Sequence, residues 1–193
     1  MNNPVINNLT MFMRIIDLDI SGQHTIIKQN DMPNTTGLTR LNIKKNSFIY
    51  DLNSFVNITD LNISKTSLQY NNITKLTRLV VLNARKNYNI SYLNIFTDIT
   101  DLNIESTEIE NDGICKLLKL TRLQAHESEL FSCLDLDNLT EITELDINEY
   151  HVKDISKLKK LVKLSFSEIE YPCNPNCWFV CKCYIARCNI SPC

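Results

Sequence analysis

The chain has 193 residues, a formal net charge of −2 and 44% hydrophobic residues, which suits a single domain with its own apolar core. Only three glycines are present, and the sequence contains no glycine-rich phosphate loop, no Gly-x-Ser-x-Gly and no His-Glu-x-x-His. It also lacks an apolar run of about eighteen residues, the minimum for a membrane helix. We therefore expect a protein that is not an enzyme, needs no cofactor and has no membrane span.

Residues 1–14 form the first segment, in which Ile6, Leu9 and Phe12 are spaced by three. This spacing predicts a short N-terminal cap, the back half of a coil. If the cap leaves the strand near Leu18 uncovered, self-association through that N-terminal edge is expected. The segment has no basic region followed by an apolar run, so a secretory signal is not expected and a cytoplasmic location is favoured.

One apolar pattern, L-x-x-L-x-L with Ile allowed, recurs through residues 15–170. Its copies begin at Ile15, Leu38, Ile58, Leu79, Ile99, Leu120, Ile142 and Leu161, so the step ranges from 19 to 23 residues. A period of this size is diagnostic of leucine-rich repeats, in which each unit adds one strand to a parallel sheet and one return segment. Within a copy, Leu123 and Ala125 point into the coil and Gln124 points outward.

The return segments also have a period. Apolar residues recur every third position, as in Ile73, Leu76 and Leu79, and this spacing fits a 3₁₀ turn better than a full α-helix. We predict an α/β-class leucine-rich repeat solenoid of about eight coils, with a concave parallel β-sheet and short 3₁₀ or turn return segments.

Two stretches carry a family resemblance. The segment from Asn46 to Phe55 and the run from Val152 to Leu164 resemble the repeat class of bacterial internalins and of the leucine-rich regulatory subunit of type 1 protein phosphatase. The resemblance covers roughly residues 6–170. It implies a binding scaffold. The phosphatase resemblance suggests a regulatory subunit, and the internalin resemblance suggests surface adhesion.

The same family resemblance implies an asparagine in the turn after each strand, where the side chain bonds backbone groups of neighbouring coils. Asn46 and Asn87 fit this position. Thr66, Thr107 and Ser128 substitute through a hydroxyl group. Gln23, Tyr150 and Ile169 fit poorly, so regular coils are expected mainly in the middle of the chain.

The outward strand positions form columns along the predicted sheet. The position between the two inward residues is mostly an amide or a carboxylate: Asp19, Asn42, Asn62, Asn83, Asn103, Gln124, Asp146 and Ser165. Strands about 4.8 Å apart allow one amide to bond the next, which predicts a stabilising ladder. The alternative is that the column also presents spare donors and acceptors to a partner. At the strand position two residues before this column, several neighbouring strands have side chains of opposite charge. Their pairing favours the correct stacking order of the strands.

One position past the strand core, the charge changes sign along the chain. The residues are Lys45, Lys65 and Lys86 in the first half and Glu127, Glu149 and Glu168 in the second. A concave face that is basic at one end and acidic at the other orients a long partner by its charge pattern. Chance segregation of surface charges is the competing interpretation.

Residues 171–193 differ in composition from the repeats. They contain six cysteines, namely Cys173, Cys177, Cys181, Cys183, Cys188 and Cys193. The aromatic and apolar residues among them suit a C-terminal cap over the end of the core. Disulfides, reduced thiols and a metal site all stay open, although the segment lacks two paired C-x-x-C knuckles and no metal ligand is assigned. Disulfides would favour an extracellular location.

These patterns predict a non-catalytic scaffold that binds another protein, and no nucleic acid, on its concave face. The expected contact residues are Lys44, Lys65, Asn83, Arg85, Asn103, Glu105, His126, Asn148 and Glu149. Two alternatives remain at this point. One is an extracellular adhesion or recognition protein with a disulfide-bonded cap, and the other is a self-assembling structural protein.

Overall fold

Each repeat places one leucine at the centre of a short strand, and the strands stack in chain order. The computed structural model describes residues 7–22, 24, 26–109, 111–126, 136, 138–148 and 155–167. Within them a single eight-stranded parallel sheet has the order β1 to β8. The strands are β1 (Asp17–Asp19), β2 (Arg40–Asn42), β3 (Asp60–Asn62), β4 (Val81–Asn83), β5 (Asp101–Asn103), β6 (Arg122–Gln124), β7 (Glu144–Asn148) and β8 (Lys163–Ser167).

The register of the sheet follows the repeat. Leu18 lies opposite Leu41, and Leu41 lies opposite Leu61, with the same match continuing along the sheet. The central leucines of β1 to β7 are buried, as are the residues two positions later, such as Ile43 and Ile63, whereas Leu164 and Phe166 of β8 are partly buried. A one-residue slip would turn every leucine outward, so burial of this column specifies the register.

The buried side chains of the return segments form the side of the core that lies opposite the strands. Successive i to i+3 hydrogen bonds join the apolar residues that are spaced by three: the Phe55 N–H donates to the Leu52 carbonyl at 2.9 Å, and the Ile58 N–H donates to the Phe55 carbonyl at 3.1 Å. All three side chains are buried. The spacing of three therefore corresponds to consecutive tight turns that keep one face toward the strands.

Three single-turn 3₁₀ helices lie just before these turns, at Gln29–Asp31, Tyr70–Asn72 and Asn111–Gly113. They occur where the number of residues between paired leucines of neighbouring strands is larger. This number is 23 from Leu18 to Leu41, and 21 from Leu61 to Leu82 and from Leu102 to Leu123. The 20-residue steps from Leu41 to Leu61 and from Leu82 to Leu102 contain none. The 3₁₀ turn accommodates the extra residue.

The architecture is a parallel β-solenoid of about six turns with few helices. The described residues contain no α-helix, so the α/β class predicted from the sequence is not confirmed. The reason is that 20 or 21 residues per coil suffice only for a strand and tight turns. Eight complete coils are not confirmed either, because the connections from β6 to β7 and from β7 to β8 lie partly outside the described residues.

In the described turns that follow β2 and β4, the side chains that the family resemblance implies make hydrogen bonds. The buried Asn46 amide donates to the carbonyls of Ile20 at 3.4 Å and Ile27 at 3.3 Å, and its oxygen accepts from the Phe48 N–H at 2.9 Å. The Asn87 amide donates to the Thr66 hydroxyl at 3.3 Å. These bonds satisfy buried backbone groups and join neighbouring coils.

The two threonines at this turn position bond within their own coil. The Thr66 hydroxyl donates to the Ile63 carbonyl, and the Thr107 hydroxyl donates to the Ile104 carbonyl, each at 2.7 Å. The hydroxyl thus replaces the amide as a donor but has a shorter reach. The corresponding positions at Gln23, Ser128, Tyr150 and Ile169 lie outside the described residues.

The first described residues lie against the N-terminal end of the solenoid. Leu9 is buried, and its N–H donates to the Asp31 carbonyl at 2.7 Å, whereas Phe12 is 40% exposed. Met11 and Ile16 are exposed beside the first strand, and self-association through this edge stays a prediction. Among the described residues, none of the helices has the length and apolar character that a membrane span requires.

Candidate protein-binding face

The outward side chains of the eight strands and of the turns that follow them form what we call the strand face. It has four columns, each with one residue per coil. The front column is the first residue of each strand, and the amide column lies two residues later. The end column lies two residues beyond that, and the turn column follows immediately. In β2 these positions are Arg40, Asn42, Lys44 and Lys45.

The front column has ion pairs between neighbouring strands at its two ends, from β1 to β2 and from β5 to β8. Arg40 pairs with Asp17 at 2.6 Å, and Arg122 lies between Asp101 and Glu144 at 3.2 Å from each. The hydrogen bond to Glu144, with the charge of Asp101, raises the pKa of Arg122. Burial raises the pKa of Asp101, and the charge of Arg122 opposes that effect. The cations of this column are therefore largely neutralised by neighbouring carboxylates.

The amide column is not a continuous ladder. The side-chain oxygen of Asn83 accepts from the Arg85 N–H at 3.1 Å, and that of Asn103 accepts from the Glu105 N–H at 3.0 Å. Rung-to-rung bonds between side chains join Asn103 to Gln124 at 3.0 Å and, in the first coils, Asn42 to Asp19 at 2.9 Å. The amide oxygens bond their own coil because the chain turns away two residues later and leaves an N–H that needs an acceptor.

The amide column consequently retains unused donors. Within the described residues, the side-chain NH₂ groups of Asn62 and Asn83 make no hydrogen bond to the protein. Both side chains are half-buried on the strand face.

At the first strand, the amide-column position is Asp19. Burial acts to raise the pKa of Asp19, but hydrogen bonds from Ser21 and Asn42 outweigh that effect, so the pKa is lowered.

The end column contains a buried charge cluster. The Glu105 side chain is only 2% exposed, and its Oε1 lies 2.5 Å from the Arg85 guanidinium and 2.9 Å from His126 Nε2. Nδ1 of His126 lies 3.5 Å from an Asp146 carboxylate oxygen. A carboxylate this deeply buried requires a paired cation, which Arg85 supplies from the preceding coil, and the His126 ring contacts the same carboxylate from the following coil.

Both nitrogens of the His126 ring face carboxylates. A protonated imidazole donates from both nitrogens, whereas a neutral one donates from a single nitrogen. Nδ1 of His126, Nε of Arg85, Oε1 of Glu105 and Oδ1 of Asp146 are buried without a hydrogen-bond partner among the described residues, so the two short contacts of Glu105 Oε1 are ion-pair distances without hydrogen-bond alignment. The cluster is therefore closely packed and electrically charged, and it fixes the orientation of the Arg85 and His126 side chains that form its surface.

The turn column has an unusual backbone. Lys45, Lys65 and Lys86 have φ angles of 61°, 57° and 56°, and Ser106 follows with 54°. In the first coil this position is Gly22, with φ 120°. A left-handed conformation suits glycine and is disfavoured for residues with a Cβ atom. Three consecutive coils thus place a lysine where glycine would be accommodated with less strain.

We call Lys44, Lys45, Lys65, Arg85 and Lys86 the basic rim. Backbone hydrogen bonds stack its turns: the N–H groups of Lys45, Lys65 and Lys86 donate to carbonyls of the next coil at 2.9 to 3.0 Å. The positive charge of Lys45, followed by burial and the other rim cations, lowers the pKa of Lys65. Within the described part of the chain, the ion pairs provide no carboxylate for Lys44, Lys45 or Lys65.

The C-terminal half of the strand face has a shallow depression. Its volume is about 170 Å³, and it lies over β6 to β8. Small-molecule sites usually measure about 300 to 1,000 Å³ and are mostly apolar. The polar side chains that line this depression are Arg122, Gln124, Glu144, Asp146, Lys163 and Ser165. Its size and polarity fit part of a protein-binding surface better than a substrate pocket.

The structure brings many of the sequence-predicted contact residues onto one face. Lys44 and Lys65 are exposed, Asn83, Asn103, Arg85 and His126 are half-buried, and Glu105 is buried beneath its two partners. The side chain of Asn148, the whole of Glu149 and the six tail cysteines lie outside the described residues. The described residues contain no group of three or more potential metal ligands.

No protein-family model matches the chain, and no curated protein matches it significantly. Solved structures do match its fold. The chain is similar to internalin C2 of Listeria monocytogenes, with a TM-score of 0.57 and 19% identity over 80% of this chain and 78% of that one.

Two further solved structures are similar over less of their own length. The functional domain of InlJ from Listeria monocytogenes, which includes a cysteine ladder, has a TM-score of 0.62 and 18% identity over 87% of this chain and 43% of that chain. A leucine-rich repeat protein of Leptospira interrogans has a TM-score of 0.56 and 17% identity over 74% and 43%. The chain spans less than half the length of these two structures. In fold, it is a leucine-rich repeat solenoid that resembles the internalins.

Proposed function

We propose that the chain is a non-catalytic scaffold that binds a partner protein on the strand face, the side that the repeat pattern predicts to be concave. The observation that supports this proposal is that several polar groups on this face have no hydrogen-bond or ion-pair partner within the described residues. They are the amide donors of Asn62 and Asn83 and the ammonium groups of Lys44 and Lys65. Solenoids characteristically bind through such extended surfaces.

The histidine on this face supports a binding role over a catalytic one. A general base needs a ring nitrogen that is free to accept a proton from a substrate. Both ring nitrogens of His126 face carboxylates, those of Glu105 and Asp146, and the ring is only 18% exposed. His126 therefore belongs to the charge cluster that orients the surface. In this proposal Glu105 positions Arg85 and His126, and those two side chains contact the partner.

Two strand-face variants test the proposal by partner capture from cells that make the protein. Lys44→Glu with Lys65→Glu reverses charge at exposed positions, and Asn83→Tyr with Asn103→Tyr adds bulk at the centre. We expect each variant to retain its fold and to capture at least about tenfold less partner than the unaltered chain. Arg85 is left unchanged because it pairs with buried Glu105.

The matched control reverses two exposed charges on return segments, with Lys75→Glu and Lys116→Glu. It should capture as much partner as the unaltered chain. Equal loss in the control and in both strand-face variants would contradict the proposal, as would unchanged capture by both strand-face variants. Loss with the tyrosine variant alone would keep the strand face as the binding surface and exclude a role for Lys44 and Lys65.

A further inference from the structure

The basic rim concentrates positive charge in a way that the rest of the strand face avoids. In the front column, Arg40 and Arg122 have carboxylates at 2.6 and 3.2 Å. In the described part of the chain, Lys44, Lys45 and Lys65 have none, although they lie on adjacent coils. The front-column cations are thus neutralised, whereas Lys44, Lys45 and Lys65 in the end and turn columns keep their charge without a carboxylate from the described residues.

Backbone conformation adds a second, independent cost at the same positions. Lys45, Lys65 and Lys86 adopt the left-handed conformation that Gly22 adopts in the first coil. Glycine would relieve both the backbone strain and the charge repulsion. Residues that violate local structural preferences without a structural benefit are expected at functional sites.

We propose that the basic rim binds an acidic peptide segment of the partner protein, an inference that rests on the proposed function. The rim crosses three coils, and two strand spacings amount to about 10 Å. An extended peptide places side chains on one side about every 7 Å, so two or three carboxylates can contact the rim at once. Carboxylates there would neutralise Lys44, Lys45 and Lys65, for which the ion pairs of the described residues provide no carboxylate.

A protein segment suits the rim better than a nucleic acid. Single-stranded nucleic acids bind where aromatic side chains stack on bases beside a positively charged groove. The outward positions of β2 to β4 are amides, charged residues, serine and one valine, and they include the acidic side chain of Asp60. No aromatic platform is present on these described strands, and Asp60 would repel a phosphate backbone.

The test uses the full chain and synthetic peptides of about ten residues, long enough to cross the three coils. One peptide alternates Glu with Ala, a second replaces every Glu with Gln, and a thymidine oligonucleotide serves as the nucleic-acid probe. We expect the Glu peptide to bind at least about tenfold tighter than the Gln peptide and than the oligonucleotide. The difference should shrink as salt is raised.

The decisive variant combines Lys45→Gly, Lys65→Gly and Lys86→Gly. Glycine fits the left-handed backbone, so this variant should fold normally while losing most of the affinity for the Glu peptide. Ser106→Gly makes the same backbone change without a charge and should bind as the unaltered chain does. A second control, Lys75→Gln with Lys116→Gln, removes two cations from return segments and should also leave binding unchanged.

Three results would overturn the inference: equal affinity for the Glu and Gln peptides, full affinity in the triple glycine variant, or tighter binding of the oligonucleotide. Each of these results can be distinguished from a failure of the proposed function. If the tyrosine variant at Asn83 and Asn103 still loses the natural partner while the rim ignores acidic peptides, the strand face binds protein through other groups.

Discussion

Replacing Phe96 with alanine is expected to lower the free energy of unfolding by about 4 kcal/mol. Phe96 is fully buried in the return segment between β4 and β5, at the middle of the described solenoid. Its neighbours in that segment, Leu93 and Ile99, are also fully buried. Removing the ring leaves a cavity that adjacent coils cannot fill, because the sheet register holds them at a fixed spacing. Urea denaturation followed by circular dichroism measures the loss.

The matched control is Phe96→Leu. Leucine occupies the equivalent return position in the neighbouring coils at Leu76 and Leu117, each with the same i to i+3 hydrogen bond to the preceding apolar residue. The repeat therefore accepts leucine there, and we expect a loss below about 1.5 kcal/mol. Similar losses for the alanine and leucine variants would show that Phe96 is not packed as described.

Replacing Arg85 with methionine is expected to lower the free energy of unfolding by about 3 kcal/mol. The change keeps most of the side-chain volume but removes the cation 2.5 Å from Glu105, whose side chain is 2% exposed. Glu105 is then left buried without the guanidinium, and only the His126 ring stays within 2.9 Å of its Oε1 among the ion pairs described. The figure is at the lower end for a broken buried pair because Arg85 itself is 43% exposed. Thermal and urea unfolding measure it.

Two comparisons isolate the buried carboxylate as the cause. Adding Glu105→Gln to Arg85→Met should recover most of the loss, because the uncompensated charge is removed. Arg40→Met breaks an ion pair with Asp17 in which both side chains are more than half exposed, and it should change stability by less than about 1 kcal/mol. If Arg40→Met proved as costly as Arg85→Met, burial of Glu105 would not be the source of the effect.

The strand positions were predictable from the sequence because the apolar pattern itself sets the register. Leu41, Leu61 and Leu82 lie opposite one another as the repeat requires. The roles of Asn46 and Asn87 in the turns were also predictable, since a buried amide there has backbone groups to bond: Asn46 donates to the Ile27 carbonyl, and Asn87 accepts from the Asn89 N–H. The α/β class was not confirmed, because the described return segments form successive i to i+3 turns instead of α-helices, as their apolar spacing of three requires.

Burial of Glu105 was missed because its position in the repeat is an outward one. The signal was available: the same column has Arg85 in the preceding coil and His126 in the following one, so a carboxylate lies between two basic residues. Comparing one column across three coils would have revealed it. The amide column was also misjudged. The side-chain oxygens of this column accept from the N–H two residues later, as Asn83 does from Arg85, because the strand ends there. The position of a strand end is poorly defined by sequence, so this bond was not predicted.

Lysine footprinting of the unaltered chain tests the central claim, that the strand face binds the partner, most directly. An amine-reactive reagent is applied with and without the captured partner, and mass spectrometry gives the modification rate of each lysine. The account predicts at least about threefold slower modification of Lys44, Lys45 and Lys65, with Lys75 and Lys116 unchanged. Protection confined to Lys75 and Lys116, on the return segments, would contradict it.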